Sequence, residues 1–116
     1  MRILTLTALM LLAGCGILPD NFDNAEFGYL AELRVAIANN SQCDRVDEVD
    51  RLSDVLQVYS QYTLNTNTTA IYQQIGDLVD ELAARENPSP VYCQLKNKNL
   101  ATAVDTALQT FGTRRK

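Results

Sequence analysis

Clustered carboxylates are the side chains of this sequence that come closest to forming a chemical site. Four acidic residues lie within 44–50 and three more lie within 77–81. Carboxylate oxygens can bind Ca²⁺, but neither segment has the ligand order or the glycine of an EF-hand loop. Acidic residues with this spacing are typical of solvated helix faces and of first helical turns, where they complement the helix dipole. We therefore expect no metal site.

The side chains that most often carry out catalysis are missing as well. The sequence has no histidine, which removes the commonest general base and the commonest metal ligand. It contains no glycine-rich phosphate-binding loop, no nucleophile elbow and no Cys-x-x-Cys pair. We expect no catalytic or cofactor-binding residues and no small-molecule substrate, so that the protein is not an enzyme. The alternative is a small enzyme or ligand carrier that uses none of these motifs.

The N-terminal residues carry a more specific pattern. Arg2 is followed by ten uncharged residues, 3–12, too few for the roughly 20 residues of a membrane-spanning helix but typical of a signal peptide. The segment ends in Leu12-Ala13-Gly14-Cys15, an apolar branched residue, two small residues and a thiol. Small side chains let the backbone enter a protease site at the membrane surface, and the thiol is the nucleophile that accepts a diacylglycerol group. This tetrapeptide resembles the lipobox of bacterial lipoproteins.

The lipoprotein resemblance covers residues 1–16 and implies a processing class, with no functional family for the mature domain. It implies a type II signal peptide at 1–14, a lipidated N-terminus and tether at 15–24, and a helical domain at 25–116. Gly16 follows the cysteine, where an aspartate would favour the inner membrane, so we expect the periplasmic face of the outer membrane. The alternative is an uncleaved hydrophobic N-terminal helix.

The two remaining cysteines fit the same compartment. With Cys15 assigned to lipid, Cys43 and Cys93 form one even pair in a chain bound for an oxidising space. A bond between them closes a loop of about 50 residues, which stabilises a fold by about 4 kcal/mol in the chain-entropy model. We predict this disulfide. The alternative is two unrelated buried thiols.

The charges are unevenly distributed along a chain of formal net charge −4. Residues 20–86 include 13 acidic and 4 basic side chains, whereas residues 87–116 include 5 basic and 1 acidic. We interpret this as helix faces of opposite sign that attract one another. Alternatively, the basic residues at 114–116 contact anionic lipid or glycan. An acidic domain is a poor general binder of nucleic acid, whose phosphates require a basic surface.

Apolar spacings of three and four predict two helices in the first half of the domain. Asp23 and Glu26 have the spacing of an N-terminal capping box for the first helix, which polar residues at 39–41 end. The second helix is predicted to begin near Cys43-Asp44 and to end before the polar turn at 63–69. The predicted apolar stripes are Phe27, Leu30, Leu33 and Ile37 in the first helix, and Val46, Val49, Leu52, Leu56, Tyr59 and Tyr62 in the second.

Two further helices are predicted in the second half. The third starts after Thr68 or Thr69 and ends at the proline-containing segment 87–90, because proline disfavours helix at the residue before it. The fourth starts with Ser89 as cap and Pro90 as first residue, carries a possible break at 97–99, and has Gly112 as its C′ residue. Their predicted apolar stripes are Ile71, Ile75, Leu78 and Leu82, and Leu95, Leu100, Val104, Leu108 and Phe111.

Four amphipathic helices with short connections predict an all-α protein, a small antiparallel four-helix bundle. Cys43 and Cys93 then open the second and fourth helices, which start at the same end of an up-down-up-down bundle. One disulfide is therefore expected to close the bundle.

Three tyrosines flank the turn between the second and third helices. We expect Tyr59, Tyr62 and Tyr72 to lie together at the bundle end opposite the disulfide. One interpretation is a partner-binding patch, because tyrosine is enriched at protein interfaces. The alternative is the edge of the core with hydrated hydroxyl groups.

The expected function is that of a lipid-anchored envelope protein, acting as a small protein–protein interaction or assembly module that faces the periplasm. It needs no cofactor, and its expected partners are the membrane, through the lipid, and an envelope protein. The alternative is a phage- or plasmid-encoded lipoprotein for lysis or exclusion. Phage spanin subunits of this class are expected to be proline-rich or to form one long coil, which the predicted turns argue against.

Overall fold

The computed structural model describes residues 23–63 and 66–111. These residues form four helices, which we name α1 (Asn24–Ala38), α2 (Val46–Tyr62), α3 (Thr69–Ala84) and α4 (Pro90–Phe111). The prediction of an all-α, four-helix bundle is confirmed. The predicted signal peptide at 1–14, most of the tether at 15–24, Gly112 and the basic residues 114–116 lie outside the described residues.

Helix α1 begins where the sequence predicted. The Asp23 carboxylate accepts hydrogen bonds from the backbone N–H groups of Ala25 at 2.9 Å and Glu26 at 3.3 Å, which satisfies donors that the first helical turn leaves without a partner. The capping-box interpretation of Glu26 is wrong in its second half. The side chain of Glu26 is fully buried. It accepts hydrogen bonds from Tyr72 in α3 and from Thr68, the residue immediately before α3.

Helix α2 begins at Val46, three residues later than predicted. Cys43 has a φ of 56°, which is incompatible with a right-handed helix. The N–H of Arg45 is instead bonded to the side-chain oxygen of Asn40, at 2.8 Å. A tight connection held by the buried Asn40 side chain therefore occupies the residues that acidic composition had assigned to a first helical turn.

The connection between α3 and α4 agrees with the prediction at the start of α4 and differs at the end of α3. Helix α3 ends at Ala84 and Arg85 is already extended, with a ψ of 116°, so the helix stops before the proline-containing segment 87–90. Asn87 adopts a φ of 50° immediately before Pro88. The Ser89 hydroxyl accepts a hydrogen bond from the N–H of Tyr92 at 3.1 Å, and Pro90 is the first residue of α4. The predicted break at 97–99 is absent, because α4 is continuous from Pro90 to Phe111.

The four helices bury one apolar core between them. Each helix packs on two others, α1 on α2 and α4, and α3 on α2 and α4. Burying a Leu, Val or Phe side chain contributes about 1.5–3 kcal/mol, so this core is the main source of stability. The fully buried apolar side chains are Leu30, Leu33, Val49, Leu56, Ile75, Val79, Leu100, Val104 and Ala107.

Three predicted core residues lie outside that core. Leu95 is 54% exposed, Tyr62 is 80% exposed and Phe27 is 40% exposed. Leu95 and Tyr62 lie near the ends of their helices, where fewer neighbouring helices are available to cover a side chain. The stripe of α3 is also rotated, because Tyr72, Ile75, Val79 and Leu82 are its buried residues.

Pairs of contacts identify which residues share each end of the bundle. Two contacts join α1 to α4, between Phe27 and Phe111 and between Arg34 and Asp105. Farther along, Asn40, two residues after the end of α1, contacts Asn97 of α4. Tyr29 in α1 contacts Tyr59 in α2, and Glu26 contacts Tyr72 in α3. The start of α1, the end of α2, the start of α3 and the end of α4 therefore lie together, and we call this region the tether end.

Candidate functional site

The predicted disulfide is present in the structure. Cys43 and Cys93 have an S–S distance of 2.07 Å and a Cα–Cα distance of 5.9 Å. The bond joins the α1–α2 connection to the first turn of α4, so it closes the end of the bundle opposite the tether end. Since both thiols are joined in this covalent bond, the pair is a structural element of the domain.

A buried pair of amides lies directly beside the disulfide. The side-chain amide of Asn97 donates to the backbone oxygen of Asn40 at 2.6 Å, and the Asn40 amide donates to the side-chain oxygen of Asn97 at 3.3 Å. Asn40 is fully buried and Asn97 is 9% exposed. The composition of 97–99 suggested a weak point in α4. Instead, the side chain of Asn97 has its hydrogen-bond partners inside the bundle and thereby aligns α4 with the end of α1.

The three tyrosines that the sequence grouped together differ in burial, because Tyr72 lies in the core. Tyr72 is 1% exposed, and its hydroxyl donates a hydrogen bond to the buried carboxylate of Glu26. The Thr68 hydroxyl donates to the same oxygen at 3.3 Å. Including Tyr72 in an exposed contact patch was therefore wrong, because it lies on the core face of α3. The spacing of Tyr72 to Ile75, Val79 and Leu82 was the available signal for this.

Tyr59 and Tyr62 do lie on the surface, and a different tyrosine joins them. The ring of Tyr29 in α1 packs edge-on against Tyr59, with centroids 5.4 Å apart and planes at 64°. Tyr62 is 80% exposed and Val58 is 56% exposed. Tyr29 was not predicted to belong to this surface, because it is adjacent to the core residue Leu30 and no sequence pattern distinguishes it.

These tyrosines line a surface groove of about 550 Å³ between α1 and α2, which we call the tyrosine groove. It combines an apolar floor with charged residues at its edge, the composition expected of a site that takes an amphipathic segment of a protein. Its lining residues are Tyr29, Arg51, Asp54, Val55, Val58, Tyr59 and Tyr62.

A second groove between the same two helices lies nearer the disulfide. It has a volume of about 720 Å³, and we call it the acidic groove. Val35 is 59% exposed there, beside three carboxylates and one arginine. Its lining residues are Ala31, Glu32, Val35, Ala36, Asn39, Arg45, Asp47, Glu48 and Leu52. The two grooves share no lining residue, and both combine apolar side chains with at least one carboxylate and an arginine.

The acidic side chains of α2 have different surroundings. Asp50 lines neither groove; desolvation raises its pKa, and repulsion from Asp54, Asp80 and Asp47 raises it further, which places it near α3. A hydrogen bond from Arg51 lowers the pKa of Glu48, since the guanidinium stabilises the carboxylate at a distance of 2.9 Å. Of these two carboxylates, Glu48 is the one that belongs to the acidic groove.

No set of three or more His, Cys, Asp or Glu side chains is placed to hold a metal ion within 23–63 and 66–111. The acidic residues of 44–50 and 77–81 lie along helix faces and in the connection before α2. The tyrosine groove and the acidic groove combine exposed aromatic and aliphatic side chains with charged residues.

Among the helices of the described ranges, none has the length and apolar content needed to cross a bilayer. Comparison of the chain with models of known protein families, with curated proteins and with solved structures found no match.

Proposed function

We propose that the protein is a lipid-anchored envelope protein, attached through Cys15 to the periplasmic face of the outer membrane, that works as a small protein-binding or assembly module. The observation that carries the binding proposal is the tyrosine groove, where Tyr62 and Val58 are exposed. Aromatic side chains beside an apolar depression bind partners well, because a large area leaves water at a small cost in side-chain entropy.

The chemistry of the two grooves favours one kind of partner. Glu32, Asp47 and Asp54 line their edges, while Arg51 is engaged by Glu48. An amphipathic helix with one apolar face and flanking lysines or arginines matches both the floor and the border of these grooves. The charges would act mainly on the rate of association and would lose their effect as the ionic strength rises.

The lipid anchor is tested at Cys15. Cells labelled with a palmitate analogue should incorporate label into the wild-type protein and none into Cys15→Ser, because neither of the other cysteines ends a lipobox-like tetrapeptide. The variant should also leave the membrane fraction. The Cys43→Ala, Cys93→Ala protein is the matched control and should keep its label. Label retained by Cys15→Ser would refute the anchor.

The binding surface is tested by site-specific photocrosslinking in living cells. A photoreactive residue at Tyr62 should capture one protein, and the same residue at Val91, which is 75% exposed on α4, should not. Adding Asp54→Lys should weaken the capture at Tyr62 several-fold if a basic partner is bound.

The outcomes of this experiment separate the alternatives. Capture at Val91 and not at Tyr62 would mean that the partner binds another face. Capture at Tyr62 that is unaffected by Asp54→Lys would contradict a basic partner. If neither position captures a protein, while palmitate labelling persists, the anchor stands and the binding module is refuted.

A further inference from the structure

The fold gathers the uncharged parts of the chain at the tether end. Residues 55–76, which include the end of α2 and the start of α3, contain no charged side chain. The last turns of α4, 106–111, contain none either. At the N-cap and in the first two turns of α1, residues 23–31, the charged residues are Asp23, whose carboxylate is engaged in capping the helix, and Glu26, which is fully buried.

The opposite end of the bundle has a contrasting surface. The connections and turns around the disulfide carry charges of both signs, and Lys96 forms an ion pair with Glu81 there. Arg85 lies over the ring of Tyr92 at 4.3 Å. The charged residues at this end are Asp44, Arg45, Asp47, Glu48, Glu81, Arg85, Glu86 and Lys96. The two ends therefore differ sharply in the cost of leaving water.

Aromatic residues are exposed at the uncharged end. Tyr62 is 80% exposed and Phe27 is 40% exposed, with the Phe27 ring edge-on to Phe111 at 5.8 Å between centroids. Tyrosine and phenylalanine suit a membrane interface, where an apolar ring enters the headgroup region and a hydroxyl remains hydrated.

The position of the anchor brings this end closest to the bilayer. Cys15 and Asp23 are eight residues apart, which can span at most about 28 Å. Helix α4, with 22 residues, is about 33 Å long at 1.5 Å per residue. A lipid on Cys15 therefore keeps the start of α1 within about 28 Å of the headgroups, while the disulfide end reaches them only if the bundle lies flat or the segment after Cys15 is almost fully extended.

We propose that the tether end of the bundle rests against the lipid headgroups of the anchoring membrane, with the disulfide end directed away from it. This inference rests on the proposed lipidation of Cys15. The tyrosine groove then opens sideways, immediately above the membrane surface.

The test uses single tryptophans, because the chain has none of its own. Gln61→Trp places the probe on an exposed residue at the tether end, outside the tyrosine groove, and Val91→Trp is the matched exposed position at the other end. Each variant is purified with its lipid and reconstituted in phosphatidylethanolamine vesicles containing phosphatidylglycerol and a lipid with a nitroxide headgroup. The nitroxide should quench most of the Gln61→Trp emission and leave Val91→Trp nearly unchanged.

The remaining outcomes distinguish the orientation from the anchor. Equal quenching at both tryptophans, or stronger quenching of Val91→Trp, would overturn the proposed orientation while the protein still sediments with the vesicles. Failure of the purified proteins to sediment with vesicles would refute the lipid anchor, and with it both the proposed function and this inference. Retention of the helical circular dichroism signal shows that each variant is folded.

Discussion

Replacing Cys43 and Cys93 together with alanine should lower the free energy of unfolding by about 2–4 kcal/mol, while most of the helical circular dichroism signal remains. The bond joins residues separated by 50 positions, so its loss releases a long loop in the unfolded chain and raises the entropy of that state. The helices should persist, because the core between them contains no part of the disulfide other than Cys93. Urea unfolding followed by circular dichroism measures the difference.

Two comparisons sharpen this result. The wild-type protein treated with a reductant should lose a similar amount of stability, because it loses the same covalent link. The Cys43→Ala, Cys93→Ala variant should then be insensitive to the reductant. An unfolding midpoint that does not change on reduction of the wild type would show that the bond contributes nothing to stability.

Replacing Tyr72 with phenylalanine should cost about 1–3 kcal/mol, the range for a buried polar group that loses a hydrogen-bond partner. The Tyr72 hydroxyl donates to Glu26, which is fully buried. Without that donor, the carboxylate keeps the Thr68 hydroxyl at 3.3 Å but loses the solvation that the phenol supplied. Thermal and urea unfolding of the variant report the loss.

The matched control removes a hydroxyl from another tyrosine. Tyr59→Phe keeps the ring that packs on Tyr29 and changes a half-buried position at the surface, so its cost should stay under about 0.5 kcal/mol. Similar losses for the two variants would contradict the proposed importance of the Tyr72–Glu26 hydrogen bond. A Glu26→Gln, Tyr72→Phe double variant should be less destabilised than the sum of its parts, because both substitutions act on the same hydrogen bond.

Local sequence signals were sufficient for the helices and their main boundaries. Two helix starts are marked by local signals, Asp23 before an apolar stripe and Ser89-Pro90 within the proline-containing segment. Both signals are local because capping and the fixed φ of proline act within one turn of the chain. The disulfide was also predicted from sequence, on the expectation that the chain is exported, because an even pair of cysteines is then expected to be oxidised. The start of α2 did not, because Asn40 bonds the N–H of Arg45 and holds the connection open.

The composition of the surface was decided by the tertiary structure alone. In α3, Ile75 and Leu82 belong to two overlapping stripes that both have helical spacings of three and four, and only packing against α2 and α4 selects the one that contains Tyr72 and Val79. The same packing buries Glu26, exposes Tyr62 and brings Tyr29 beside Tyr59. Periodicity identifies an amphipathic helix within one chain segment, but its rotation depends on neighbours distant in sequence, whose positions no local pattern encodes. The sequence by itself thus determined four helices and their covalent closure, whereas the grooves and the uncharged end exist only after the helices pack.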